Sequence, residues 1–309
     1  MFDRGISKEF VDALKVWQHW EEIIGDEDLY VAIRKEYINI YYQGCSLLRM
    51  SLKGGRLLSE THYKYLIHPN VKKPYVSWNG ERPALEGREN EIFMQQFKLN
   101  LLKKSSCWYA EDEKIGVHSI LKSNKNVVDV EIALSPNSEA EPDCEGQTPE
   151  GRRVADRIDF AAIQRRNDRP PCVVFFEAKW FDNGELKAHK GEPRVFGQIR
   201  KYDKFIEGNG AALKTSYGKV CTDLVKLIPP NRYDPVVKEI ADNPEQLTVD
   251  PHVRLVVFGY DADQNNGKVW NKHKEKLLDH FKDRLLLKGS PREFTVGISD
   301  MNLKVVPCP

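Results

Sequence analysis

Five apolar residues, Cys172-Val173-Val174-Phe175-Phe176, run without a break into Glu177-Ala178-Lys179. The run is short and rich in β-branched and aromatic side chains, so it predicts a strand buried in a sheet. Strand alternation then places Glu177 and Lys179 on one face, with Ala178 and Trp180 on the other. Charges at the rim of a core are costly unless they are paired or bind a metal, so their position asks for a chemical reason.

The chain has 309 residues, enough for two modest domains or one large one. Its formal net charge is only +1, so global charge does not announce a nucleic-acid partner, although net charge averages away local patches. The N-terminus lacks the apolar core of a signal peptide, and no apolar run approaches membrane-spanning length. The six cysteines (Cys45, Cys107, Cys144, Cys172, Cys221 and Cys308) include no C-x-x-C pair. A reduced, soluble, cytoplasmic protein that does not enter a membrane is expected.

Apolar spacing over residues 7–24 predicts a helix with Ser7 as its N-cap. Residues 29–33, 37–42 and 46–50 then read as antiparallel strands, with turns at Gln43-Gly44 and Lys53-Gly54-Gly55. Pro69, Pro74, Gly80, Pro83 and Gly87 punctuate a connection to a second unit. That unit begins with a helix from Glu89, carrying Ile92, Phe93, Phe97, Leu101 and Leu102 on one face. Strands are expected at 126–134, about 154–163 and 172–180, with an acidic loop at 135–151 between the first two. A helix at 196–207, closed by Gly208, comes next, followed by a strand at 253–260, a helix at about 269–286 and a strand at 294–298. The order predicts a mixed sheet with helices on both faces in 86–309, behind an N-terminal helix plus antiparallel β-meander domain in 1–85.

Arg157-Ile158-Asp159-Phe160 lies on the strand before Glu177, and the turn at 165–171 brings the chain back. Paired as a hairpin, the two strands let Asp159 approach Glu177 and Lys179. Two converging carboxylates repel at low dielectric, and a divalent cation resolves the conflict. Oxygen ligands suit Mg²⁺ or Mn²⁺ rather than Zn²⁺. An adjacent ammonium that positions a water completes a site for phosphodiester hydrolysis.

With Asp159, the Glu177-Ala178-Lys179 tripeptide and this order of elements, roughly residues 86–265 resemble the PD-(D/E)XK nuclease superfamily, whose fold is restriction-endonuclease-like. The residue before the aspartate is Ile158 where that motif has proline. The resemblance implies that Asp159, Glu177 and the Ala178 carbonyl bind the metal and that Lys179 positions the attacking water. Gln198-Ile199-Arg200-Lys201-Tyr202 puts Gln198 and Tyr202 on one face of the next helix, and this Q-x-x-x-Y pattern resembles the RecB-like branch, where such a helix frames the site and contacts nucleic acid. Many members add a glutamate from the first helix to the metal site. Glu91 is the first candidate for that place and Glu89 the second.

From Glu185 to Lys204 six cations face three carboxylates, an excess suited to phosphate binding. Arg165 and Arg166 in the turn fit the same pattern. Tyr37, Tyr41, Tyr42, Tyr63 and Tyr65 suggest either packed aromatics or base stacking in the N-terminal unit. The segment from Asp261 begins like a calcium loop, but its sixth position is Asn266 and its twelfth Lys272, which excludes that reading. Phosphate-loop, Rossmann and serine-hydrolase signatures are absent, and the histidines show no zinc-ligand spacing.

Two functions are therefore expected to compete. One is a Mg²⁺- or Mn²⁺-dependent nuclease, acting on DNA in preference to RNA, in defence, restriction or repair. The other is a catalytically silent subunit of the same fold that binds nucleic acid or scaffolds a complex. In either case the N-terminal domain is a candidate surface for a protein partner or a second copy.

Overall fold

The computed structural model describes residues 2–66, 77–78, 83–84, 97–134, 156–166 and 169–296. The chain opens with α1 (Lys8–Lys15) and α2 (Trp20–Gly25) where one helix was expected. Between them Trp17 N bonds Leu14 O and Trp20 N bonds Trp17 O, two tight i→i−3 steps. The corner they form lets Leu14 and Trp20 enter the same core. Strands β1 (Tyr30–Ile33), β2 (Tyr37–Tyr42), β3 (Cys45–Lys53) and β4 (Arg56–Glu60) form the expected antiparallel meander, in sequence order. Strand β4 carries no apolar alternation because it is an exposed edge, and the Gly54-Gly55 turn delivers it.

A short antiparallel pair, β5 (Ser77–Trp78) and β6 (Pro83–Ala84), falls in the expected connection. The proposed boundary at 85/86 lies outside the described residues, as do residues 135–151 of the acidic loop. Helix α3 (Leu99–Ser106) starts at Leu99 after an extended Lys98, so the helix expected from Glu89 does not run through Phe97; residues 89–96 lie outside the described residues. A second helix, α4 (Asp112–Ser123), was not anticipated and leads directly into the sheet.

The larger sheet is mixed and contains β7 (Val127–Ala133), β8 (Arg157–Arg166), β9 (Arg169–Trp180), β10 (Thr248–Val249), β11 (Arg254–Phe258) and β12 (Leu285–Lys288). Its order is β12-β11-β9-β8-β7, with β10 also pairing β9. Strands β7, β8 and β9 are antiparallel, whereas β9, β11 and β12 are parallel. Strand β9 is therefore central and buried on both faces, which accounts for its unbroken apolar run. Val173 and Phe175 enter one core; Cys172, Val174, Phe176 and Ala178 enter the other. Phe176 stacks on its cross-strand partner Phe160, with centroids 4.8 Å apart.

Helix α5 (Arg194–Leu227) and helix α8 (Lys268–Phe281) cover the first face, and α4 covers the second. The smaller helices α6 (Pro235–Asp242) and α7 (Ala262–Asn266) complete eight among the described residues, none of them long and apolar enough to cross a membrane. Asp261, rejected as a calcium ligand, caps α7 by accepting from Gln264 N at 2.7 Å in a capping box.

Three boundaries differ from expectation. Helix α5 does not stop at Gly208 but continues for 34 residues in all. Its second half buries Leu213, Tyr217, Val220, Cys221, Leu224 and Leu227, and that burial outweighs the roughly 1 kcal/mol helix penalty of each glycine. Helix α8 ends at Phe281, where Lys282 takes a φ of 52°, so Leu285–Lys288 can pair with β11. Phe294 to Val296 do not form a strand; Gly297 and Ile298 lie outside the described residues. Instead the Asn124 side chain donates to Phe294 O and accepts from Val296 N, at 2.7 and 2.6 Å.

One apolar cluster runs from α1 and β2 through the second half of α5 to β9 and β11, drawing on both sides of residue 85. A buried ion cluster also ties the two parts together. Asp129 on β7 is fully buried and bonds Arg34, Arg4 (3.4 Å) and Tyr217 (3.2 Å) on α5. Its own Oδ1 accepts from Val130 N, and Arg34 reaches Val130 O at 2.5 Å. Burial works against the Arg34 charge, but the Asp129 carboxylate holds its pKa well above the usual arginine value.

Candidate active site

Antiparallel pairing of Phe160 with Phe176 brings Asp159 beside Glu177 at the ends of β8 and β9. Asp159 Oδ2 accepts from Ala178 N at 2.7 Å, which fixes the aspartate against the central strand. Glu177 is 1% exposed and Lys179 is 7% exposed, and Lys179 Nζ lies 2.8 Å from Glu177 Oε1. The other Glu177 oxygen, Oε2, is buried and has no hydrogen-bond partner. All three side chains face α5, while Ala178 points into the opposite core, as alternation requires.

Burial, reinforced by the neighbouring Glu177, raises Asp159 well above the usual carboxylate range. Burial also pushes Glu177 up to about 7, against the opposing pull of Lys179. For Lys179, burial works to lower the pKa, but the Glu177, Asp159 and Glu113 carboxylates together hold it above the ordinary lysine value. The lysine is thus an ammonium, with three hydrogens to direct.

Gln198 and Tyr202 occupy one face of the first turns of α5. Gln198 Nε2 donates to Tyr202 OH at 2.7 Å, and Tyr202 OH donates to Arg157 O at 2.7 Å. The pair therefore fastens the helix to β8 two residues before Asp159. Burial and the negative charges of Glu177 and Asp159 keep the Tyr202 phenol protonated. Gln198 Oε1 is left buried without a partner.

Two acids complete the cluster. Glu113, in the first turn of α4, sits 3.9 Å from Lys179 Nζ. Its Oε2 accepts from Trp180 N at 2.9 Å and Asn183 Nδ2 at 2.7 Å, clamping the turn after β9. Glu185, in the loop beyond, reaches Lys179 Nζ at 3.0 Å. Neither was anticipated. Glu113 follows Glu111-Asp112 at the head of the amphipathic segment that precedes β7, which is the sequence cue for a helix in that place. Glu91 and Glu89, to which the helix acid was assigned, lie outside the described residues.

Among the described residues, no group of three or more His, Cys, Asp or Glu side chains is placed to hold a metal ion. The donor set available at Asp159 and Glu177 is instead two carboxylates with the intervening Ala178 carbonyl. Those oxygens suit a hard dication, and the unpartnered Glu177 Oε2 is the atom such an ion would satisfy.

Several expected surface charges are locally paired: Arg200 with Glu192 at 2.8 Å, Lys201 with Asp156 at 3.4 Å, and Arg165 with Glu239. Tyr37, Tyr41 and Tyr65 are buried, so these three pack in the core and do not offer faces to bases. No protein-family model, curated protein or solved structure matches this chain.

Proposed function

We propose that this chain is a Mg²⁺- or Mn²⁺-dependent nuclease with a restriction-endonuclease-like core, of the PD-(D/E)XK type. The observation that carries the reading is the juxtaposition of half-buried Asp159 with buried Glu177 on the adjacent strands β8 and β9, with Lys179 2.8 Å from Glu177. Three residues from two strands bring two carboxylates and an ammonium together, a set that suits metal-assisted phosphodiester hydrolysis. Asp159, Glu177 and the Ala178 carbonyl would hold the cation, and Glu113 would be the helix acid beside Lys179. When bound, the cation supplies charge stabilisation to the phosphate and acidifies a water. Lys179 directs its ammonium hydrogens at that water, and Gln198 with Tyr202 keeps β8, and so Asp159, in register. DNA is the favoured substrate, in a defence, restriction or repair setting.

A silent scaffold of the same fold is the second reading. It is favoured by the closure of Lys179 among Glu177, Glu185 and Glu113, which supplies the buried ammonium with counter-ions without a metal. Cleavage assays on single- and double-stranded DNA and RNA, with Mg²⁺, Mn²⁺ or EDTA, separate the two. The nuclease reading expects cleavage that EDTA and Lys179→Ala each abolish while the fold survives. Metal binding without cleavage of any substrate, or full activity in Lys179→Ala, would sink it.

A further inference from the structure

The loop after β9 runs past Glu185 into Lys187, His189 and Lys190, and α8 lies beside it. Lys276 Nζ of α8 donates to Ala188 O at 3.0 Å, tying helix to loop. The His189 and His273 rings meet edge to face, 5.9 Å apart. Burial lowers the pKa of His273, and His189, Lys276, Lys187 and Lys272 lower it further, so three lysines and a second imidazole converge on one ring. His189, Lys190, Lys272 and Lys276 are exposed. Of the nearby acids among the described residues, Glu185 pairs with Lys179 and Glu192 with Arg200, Asp182 offsets Lys187, and exposed Glu275 is the one carboxylate set among Lys190, Lys272 and Lys276. A chain with a net charge of only +1 has concentrated cations on one surface, where they repel one another. A polyanion relieves that repulsion.

We infer that this surface, made by residues 187–190 and the Lys272–Lys276 stretch of α8, carries the sugar-phosphate backbone of the nucleic acid beyond the scissile bond. The inference rests on the nuclease reading for its location, since Glu185, three residues before Ala188, touches Lys179. Its contacts are with phosphate, so it adds affinity and salt dependence without base specificity.

Lys190 and Lys272 are the informative positions, because each is exposed and neither side chain braces the loop. Binding of labelled duplex DNA is measured in EDTA by fluorescence anisotropy, from about 50 to about 200 mM salt. The double variant Lys190→Ala/Lys272→Ala should bind more weakly, with the slope of log affinity against log salt shallower by about 1.8, or about 1.4 on a single strand. Lys15→Ala/Lys53→Ala, which removes the same charge from the N-terminal unit, should leave the slope unchanged. Equal slopes in the two double variants, or binding to polyglutamate but not to DNA, overturn the inference. Cleavage with an unaltered slope removes this surface and keeps the nuclease reading; a shallower slope without cleavage does the reverse.

Discussion

Replacing Asp129 by alanine is the most demanding test of how the molecule is joined. The carboxylate is fully buried and serves Arg34, Arg4, Tyr217 and Val130 N at once. Its removal leaves the Arg34 guanidinium, itself 3% exposed, without its counter-ion. Breaking a buried pair from one side costs about 3–5 kcal/mol, and orphaning the Tyr217 hydroxyl adds about 1 kcal/mol. Against a typical total of about 5–15 kcal/mol, the variant should unfold at a much lower urea concentration. Arg34→Met and the double variant Asp129→Ala/Arg34→Met complete a cycle whose coupling should be about 2 kcal/mol or more. Equilibrium urea titrations followed by both circular dichroism and tryptophan fluorescence supply the numbers. A cost for Asp129→Ala under about 1 kcal/mol, or strictly additive single variants, would falsify the claim that this cluster holds the two parts together.

Other consequences are smaller or more local. Gly210→Ala should stabilise the protein by about 0.5–1 kcal/mol in thermal melts, because the glycine is helical and an added Cβ meets nothing. Gly116→Ala, also in a helix, should do the opposite and destabilise by more than about 2 kcal/mol, since its Cβ would lie 2.0 Å from the Phe258 ring. Tyr202→Phe removes the hydroxyl that joins Gln198 to Arg157 O; a loss of about 1–3 kcal/mol is expected, and an unchanged melting temperature would contradict it. Burial lowers the pKa of His118 from 6.5 to about 4, so unfolding lets it take up a proton. Its share of stability is complete above about pH 6.5 and falls away as the pH drops through 4, by about 3 kcal/mol in all. His118→Gln should flatten the stability profile across that window, and an identical slope in the variant would contradict the assignment.

The central strand could be read from sequence because its constraint is local: only a strand flanked on both sides and covered on both faces needs Cys172 to Phe176 apolar without interruption. The hairpin partner at Asp159 followed from one turn, and the Gln198–Tyr202 pairing from helical spacing. Glu113 was not legible, because its reach to Lys179 depends on how α4 crosses the end of β9, which no local pattern encodes. The full length of α5 was hidden for a related reason. Gly208 and Gly210 carry a local stop signal, and tertiary burial of Leu213, Tyr217 and Leu224 overrides it. Strand β12 was absorbed into the helix before it, since Leu285, Leu286 and Leu287 continue an apolar spacing that suits either element. Phe294 to Val296 mimic a strand in composition alone, their backbone being held by the Asn124 and Asn126 side chains.

The long reach of α5 also sets a timetable for synthesis. Phe2 packs on Tyr217, Ser216 Oγ donates to Phe2 O, and Asp223 accepts from Ile6 N, contacts spanning more than 200 residues of chain. At about 5–20 residues per second, a ribosome needs roughly 10–45 s to make the partners of the first six residues. During that interval the apolar face of α1 waits without the helix that will cover it. Until α5 is made, that face of the nascent chain is exposed apolar surface.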